Sequence, residues 1–345
     1  MSAMGPATRA PNQLGATVTR RFALEAREPF RLDLTVWALR RRAHNEVDTW
    51  DGTWYRRVAV VGGEPAELAA RQVNRGGRSS VLVELTMAGH KPGHQAEHEA
   101  RARLERSLAL GADLSGFYEL ARRDRRLLSL AQRFRGLHPP RFPTVFEALV
   151  NAVACQQLSL DVGIHLLDRL ARRYGPAVTG RETPGFPTPE ALAAATPGGL
   201  RPLGFSRAKA VAIIGLARLV AEGDLDLEAL EEADDDQAAG LLTALPGIGR
   251  WSAEYTLLRG LGRWHVLPGD DVGARNNLRR RFGLAGDGGY EAVGELSKQW
   301  WPYAGLVYFH LLLDGLAGAG HLALPGPAGP GGNTLTAMDV TSSTT

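Results

Sequence analysis

Apolar residues change their period once along the chain, and the change divides it in two. Residues 18–26, 55–61 and 80–87 are short, Val-rich runs that alternate in part. β-Branched and aromatic residues at period two suit a pleated, half-buried surface, so these runs predict strands. Residues 30–43 and 65–74 read as two helices beside them. Composition shifts near 88–93, and after residue 93 almost every segment reads as helix with short breaks. Thr144-Val145-Phe146-Glu147 has the form of a capping box, followed by Phe146, Leu149, Val150 and Val153 at helical spacing. Thr188 before Pro189 marks another helix start, and Ser206 opens a helix that runs to a stop at Gly223. Residues 241–245 and 251–258 flank the turn Pro246-Gly247-Ile248-Gly249, and further helices follow Asp271 and span 290–300 and 303–316. The expectation is an α+β protein: a disordered tail over 1–16, a small α+β domain over 17–92, a helical domain over 93–323, and a Gly/Pro/Thr-rich tail over 324–345. No repeat of fixed period is present.

Composition narrows the function classes. One cysteine, Cys155, cannot build a disulfide framework, a zinc ribbon or a four-cysteine iron–sulfur cluster, and it suggests a reducing, cytoplasmic setting. The first 16 residues lack the apolar core of a secretory signal, and no run approaches the roughly 20 apolar residues of a membrane span. A soluble protein without a membrane partner is expected. The formal charge of +3 permits nucleic-acid binding without arguing for it. Arginines gather at 40–42, 122–126 and 275–281, and acids at 228–236, but each cluster alone reads as a solvated helix face. His90, His94 and His98 are interrupted by Pro92-Gly93 and read as linker residues, so no metal site is expected from them. Cys155 lies on an apolar helix face and reads as a small packed residue.

The chemistry lies near the turn at 246–249. Two glycines two apart let the backbone turn sharply and approach another group closely. The helix that follows begins with N–H groups that have no intrahelical partner and suit a phosphate oxygen. A plain αα-hairpin turn explains these residues equally well. One helix downstream, Leu267-Pro268-Gly269-Asp270-Asp271 places two carboxylates before another helix. An ordinary N-cap is the simple reading of either aspartate. The helix dipole also favours negative charge there, and a carboxylate beside a DNA-gripping hairpin suits glycosidic bond cleavage.

Together these segments resemble the helix-hairpin-helix DNA glycosylase superfamily. The runs Gly247-Ile248-Gly249-Arg250-Trp251-Ser252-Ala253-Glu254-Tyr255 and Leu267-Pro268-Gly269-Asp270-Asp271-Val272-Gly273 resemble its DNA-3-methyladenine glycosylase II (AlkA-type) branch, over most of residues 23–316. Gln156-Gln157-Leu158-Ser159, Leu203-Gly204-Phe205-Ser206 with Lys209-Ala210, and the amino-terminal unit with Trp50-Asp51-Gly52 resemble further parts of that branch. The resemblance implies a TBP-like amino-terminal domain followed by a two-subdomain helical glycosylase fold. It implies Asp271 as the catalytic carboxylate, and Trp251, Tyr255, Trp300, Tyr303 and Trp37 around a flipped base. It assigns Gly247, Ile248, Gly249 and Arg250 to DNA, with Gln157 or Leu158 filling the gap in the duplex. The family usually has Arg where this chain has Ala304. Strand-cutting members carry Lys two places after the hairpin's second glycine, where this chain has Trp251, so no Schiff base is expected.

The expected activity is monofunctional excision of alkylated purines of the 3-methyladenine type from duplex DNA, leaving an abasic site. The expected enzyme is a monomer without an organic cofactor, with a monovalent cation as a candidate at the hairpin carbonyls. Alkylated purines are cationic, and an aromatic face gains ~0.5–2 kcal/mol from a cation over it. A non-catalytic hairpin DNA-binding protein, and a glycosylase for deaminated or oxidised bases, are the alternatives.

Overall fold

The computed structural model describes residues 17–284 and 288–322, and the tails expected over 1–16 and 324–345 lie outside them. Strands β1 (Thr17–Glu25), β2 (Thr49–Trp50), β3 (Tyr55–Val61), β4 (Glu64–Arg75) and β5 (Arg78–Ala88) form one antiparallel sheet in the order β1-β5-β4-β3-β2. The helix expected over 65–74 is instead β4. Its residues include many helix formers, and Pro65 imitates a first helical position. Two glycine pairs outweigh that propensity. Val61 pairs with Glu64 across Gly62-Gly63, and Arg75 with Arg78 across Gly76-Gly77, with all four glycines at positive φ. Two-residue turns of this kind match the twist of paired strands, so the segment is held as a strand between β3 and β5.

Helices α1 (Leu32–Arg40) and α2 (His94–Ser107) pack on the sheet. Val36 and Leu39 of α1, and Ala96, Ala100 and Leu104 of α2, share one core with Leu68, Val83 and Leu85. α2 therefore belongs to the sheet's core, although the sequence reading grouped it with the helices after residue 92.

The remaining helices build two cores. α5 (Val145–Cys155), α6 (Leu160–Tyr174), α7 (Pro189–Ala193), α8 (Pro197–Leu200), α9 (Arg207–Ala221), α10 (Asp235–Ala244) and α11 (Arg250–Arg259) share Leu149, Ile164, Leu192, Leu200, Ile213, Leu242 and Leu257. α3 (Ser115–Ala121), α4 (Arg125–Arg133), α12 (Val272–Phe282), α13 (Tyr290–Ser297) and α14 (Ala304–Gly318) share Phe117, Leu130, Leu278, Val293 and Phe309, with Leu34 and Ala38 of α1.

The sheet is joined to the helices by a buried ionic group. Arg57 on β3 donates to Asp48 at 2.8 Å and to Glu147 on α5, and the Tyr55 hydroxyl donates to Asp48 at 2.7 Å. Thr144 caps α5 by accepting from the Glu147 amide at 3.1 Å. The Glu147 carboxylate, however, turns to Arg57 instead of closing the capping box on Thr144. The sheet's core also takes in Ala148 and Ala152 of α5 and Tyr255 of α11, so one wall of the site described next stands on it.

Candidate active site

The turn at 246–249 joins α10 to α11. Gly247 has φ +83°, and a Cβ there would stand 2.8 Å from the Cβ of Ala212 on α9, so both the conformation and the close approach demand glycine. Ile248 is buried and anchors the turn from within. Gly249 is the N-cap of α11, and nothing lies within 4 Å of where its Cβ would be, which leaves this corner open. Gln156 braces the turn, with Nε2 donating to the Gly247 carbonyl and to the Ser252 hydroxyl, each at 2.8 Å.

The two neighbouring aspartates have different tasks. Asp270 receives Arg250 through Nε at 2.9 Å and Nη2 at 2.7 Å, and Arg275 at 2.5 Å. Arg250 also lies 3.6 Å from the Tyr290 ring centroid, so it holds the 268–271 turn while remaining exposed at the hairpin. Asp271 is the N-cap of α12, and its Oδ1 accepts from the Ala274 amide at 2.8 Å. Its Oδ2 faces the indole N–H of Trp251 and the Tyr308 hydroxyl, each at 3.4 Å. Those two contacts are long, so this oxygen is held in place yet only weakly engaged.

A cavity of about 990 Å³ opens in front of Asp271, lined by residues of both helical cores. Trp251 and Tyr255, one turn apart on α11, stand with ring centroids 5.3 Å apart. Opposite them are Tyr308 and Leu312, also one turn apart, on α14. Burial pushes the Tyr255 and Tyr308 hydroxyls up, which keeps them as proton donors. Burial likewise pushes up the Cys155 thiol, so this lining residue is a poor nucleophile.

The structure adds a cation that the sequence reading missed. Arg41 terminates α1 in the left-handed conformation, φ +61°, which turns its side chain into the cavity wall. It is 4% exposed and donates to the Tyr255 hydroxyl at 2.8 Å and to Asn151 Oδ1 at 2.7 Å. Behind Tyr255 lies a second buried guanidinium, Arg259, which donates to the Ala38 carbonyl at 2.9 Å. Lys209 places an amine at the cavity edge. Burial lowers the pKa of its amine, but Nζ is committed to the carbonyls of Ala154 at 2.9 Å and Gln156 at 2.7 Å.

Three expected pocket residues lie elsewhere. Trp300 is 1% exposed and packs edge-on against Phe282 at 4.7 Å, inside the second helical core. Tyr303 caps the far end of α14 and sits over Gly116, lining a separate surface hollow with Trp264. The cavity takes its aromatic from α14 one turn later, at Tyr308. Trp37 packs against the second helical core beneath Arg40. Gln157 and Leu158 both line the mouth of the cavity. Gln157 has φ +54°, and Leu158 is 42% exposed, so neither is a core residue. Tyr308 and Leu312 were legible in principle, since they stand four apart on a helix the sequence had marked. Arg41 carries no motif.

Residues 150–303 match the model of the HhH-GPD superfamily of base excision DNA repair proteins. The chain belongs to this superfamily. It is 32% identical over 204 residues to a DNA-3-methyladenine glycosylase of Bacillus subtilis, a match covering 59% of this chain and 67% of that protein. It is 35% identical over 170 residues to DNA-3-methyladenine glycosylase 2 of Escherichia coli, covering 49% of this chain and 58% of that protein. Its fold is similar to that of a 3-methyladenine DNA-glycosylase from Archaeoglobus fulgidus, with TM-score 0.73 and 28% identity over 85% of this chain and 97% of that one. Among the described residues, no helix is long and apolar enough to cross a membrane.

Proposed function

We propose that this protein is a monofunctional DNA glycosylase that turns an alkylated purine out of duplex DNA and hydrolyses its bond to deoxyribose, leaving an abasic site. One observation carries the reading: the weakly engaged Oδ2 of Asp271 faces a cavity walled by Trp251, Tyr255 and Tyr308, beside an open helix-hairpin-helix corner. The similarity to three 3-methyladenine glycosylases supports the substrate class. The TBP-like character of the sheet unit, and the division of the helices into two subdomains, belong to the same proposal, as do a monomeric, cytoplasmic enzyme and a cation at the hairpin carbonyls.

In this reading the exposed start of α11 grips a DNA phosphate without regard to base identity. A damaged base leaves the stack at a cost of a few kcal/mol and enters the cavity. The base departs with the bonding electron pair while Asp271 stabilises positive charge on the sugar, and water then adds its hydroxyl to that carbon as its proton passes to the Asp271 carboxylate and on to solvent. Trp251 occupies the place of the lyase lysine, and Lys209 is held by two carbonyls, so hydrolysis is favoured over amine attack. Arg41 opposes the aromatic preference for cations, because a buried guanidinium repels a positively charged base and stabilises negative charge on a departing neutral one. The test is incubation of the protein with duplexes that each carry one lesion, followed by measurement of free base. Release of 3-methyladenine or 7-methylguanine is expected, and no release from any duplex would leave a DNA-holding protein.

A further inference from the structure

We propose that His44, His165 and Asp168 bind a divalent transition-metal ion of the zinc type, which clips the loop after α1 onto α6. His165 and Asp168 stand three apart on α6 and share a face, and His44 reaches them from the loop at 41–48. The two imidazoles stack at 4.1 Å between centroids and 14° between planes. One ligand atom from each of the three side chains lies within 4.8 Å of the others.

Packing leaves one polar atom of this cluster unserved and buries the carboxylate beside it. His44 Nε2 is buried with no hydrogen-bond partner, and such an atom is rare enough to call for a missing one. Asp168 is 4% exposed, and its Oδ1 accepts from the Glu46 amide at 3.0 Å. Burial pushes its carboxyl up to about 6 and lowers the pKa of His44. The surrounding charges are already engaged. Arg42 pairs with Asp161, Arg172 pairs with Glu46, and Arg40 donates to the Arg42, Ala43 and Trp50 carbonyls. A buried carboxylate beside an imidazole lone pair is thus left without a cation.

Two imidazole nitrogens and one carboxylate oxygen suit Zn²⁺, Co²⁺ or Ni²⁺, whereas Mg²⁺ and Ca²⁺ favour oxygen alone. With metal–ligand distances near 2.0–2.1 Å, tetrahedral ligands stand about 3.4 Å apart, so the side chains must draw together on binding. His165 is exposed, which leaves a fourth position open to water. The clip would hold the loop that carries Arg41 against the helix that follows Gln157 and Leu158.

The test is titration of the full chain with Co²⁺ near neutral pH, followed by visible absorption and by displacement with Zn²⁺. One ion per chain is expected. Affinity should fall at least about tenfold in His165→Gln, His44→Gln and Asp168→Asn, since even an outer-shell change costs that much. Binding should also weaken as the pH falls, because each ligand must give up its proton to hold the ion. His165 is exposed, so its variant folds, and Zn²⁺ should raise the melting temperature of the parent but not of His165→Gln. Equal binding by the parent and His165→Gln would overturn the proposal and assign the ion to other histidines, such as His265 beside Asp235. Absence of bound Co²⁺ at large excess would overturn it outright.

Discussion

The hairpin side and the sheet side of the cavity are built by opposite means. On the hairpin side, Gly247, Ile248, Gly249 and Asp271 act through local backbone geometry: a left-handed turn, an open helix start and an N-cap. On the sheet side, Arg41 is brought to Tyr255, more than 200 residues away in sequence, by packing of α1 across two cores. In the proposed function, the hairpin side holds DNA and breaks the bond, and the sheet side tunes which base is accepted. The contrast predicts that damage to the two sides should be separable, as stability and selectivity on one and rate on the other.

The largest effect should come from the ionic group that ties the sheet to α5. Glu147→Gln leaves the buried Arg57 with only Asp48 as its carboxylate partner and should cost about 3–5 kcal/mol of unfolding free energy in denaturant titration. The folded fraction should keep its lesion preference. A loss within ~0.5 kcal/mol would mean that the two regions are not joined there.

Next comes Asp271→Asn, which should lower single-turnover base release by at least about 100-fold while DNA binding survives. Its melting temperature should stay close to the parent's, because Asn is also a good N-cap. Near-normal release would move the catalytic role off the hairpin side.

The third change acts on choice. Arg41→Gln should shift the ratio of 7-methylguanine to hypoxanthine release toward the cationic base by about tenfold, and Arg41→Lys should restore part of the parent's ratio. A structural role alone would slow both lesions equally and leave the ratio unmoved.

The smallest effect concerns the duplex gap. Gln157→Ala should weaken binding to an abasic-site duplex about two- to tenfold, the range of one lost hydrogen bond, with stability unchanged. If only Leu158→Ala weakens it, the wedge is apolar.

The legibility of the molecule follows the same division. The N-cap at Asp271 and the hairpin turn were readable because their geometry depends on residues adjacent in sequence, as were the Thr144 and Ser206 caps. The strand β4 was misread because its composition favours helix, and only its flanking glycine pairs report the neighbours that pair with it. Trp300 and Tyr303 were placed around the base by the family resemblance. The turn before α14 instead points one into the core and the other to a separate hollow, and Tyr308 takes their place. Arg41 was beyond reach, because a guanidinium beside a helix end looks the same whether it meets solvent or a buried tyrosine.

The central claim is hydrolysis directed by a carboxylate, with no amine taking part. It is tested most directly by reacting the parent protein with a 7-methylguanine duplex in the presence of borohydride and resolving both DNA and protein. The account predicts free base, an intact strand that breaks only on later heating in alkali, and no protein–DNA adduct. An adduct trapped on the parent but absent from Lys209→Gln would contradict it and make that lysine a nucleophile.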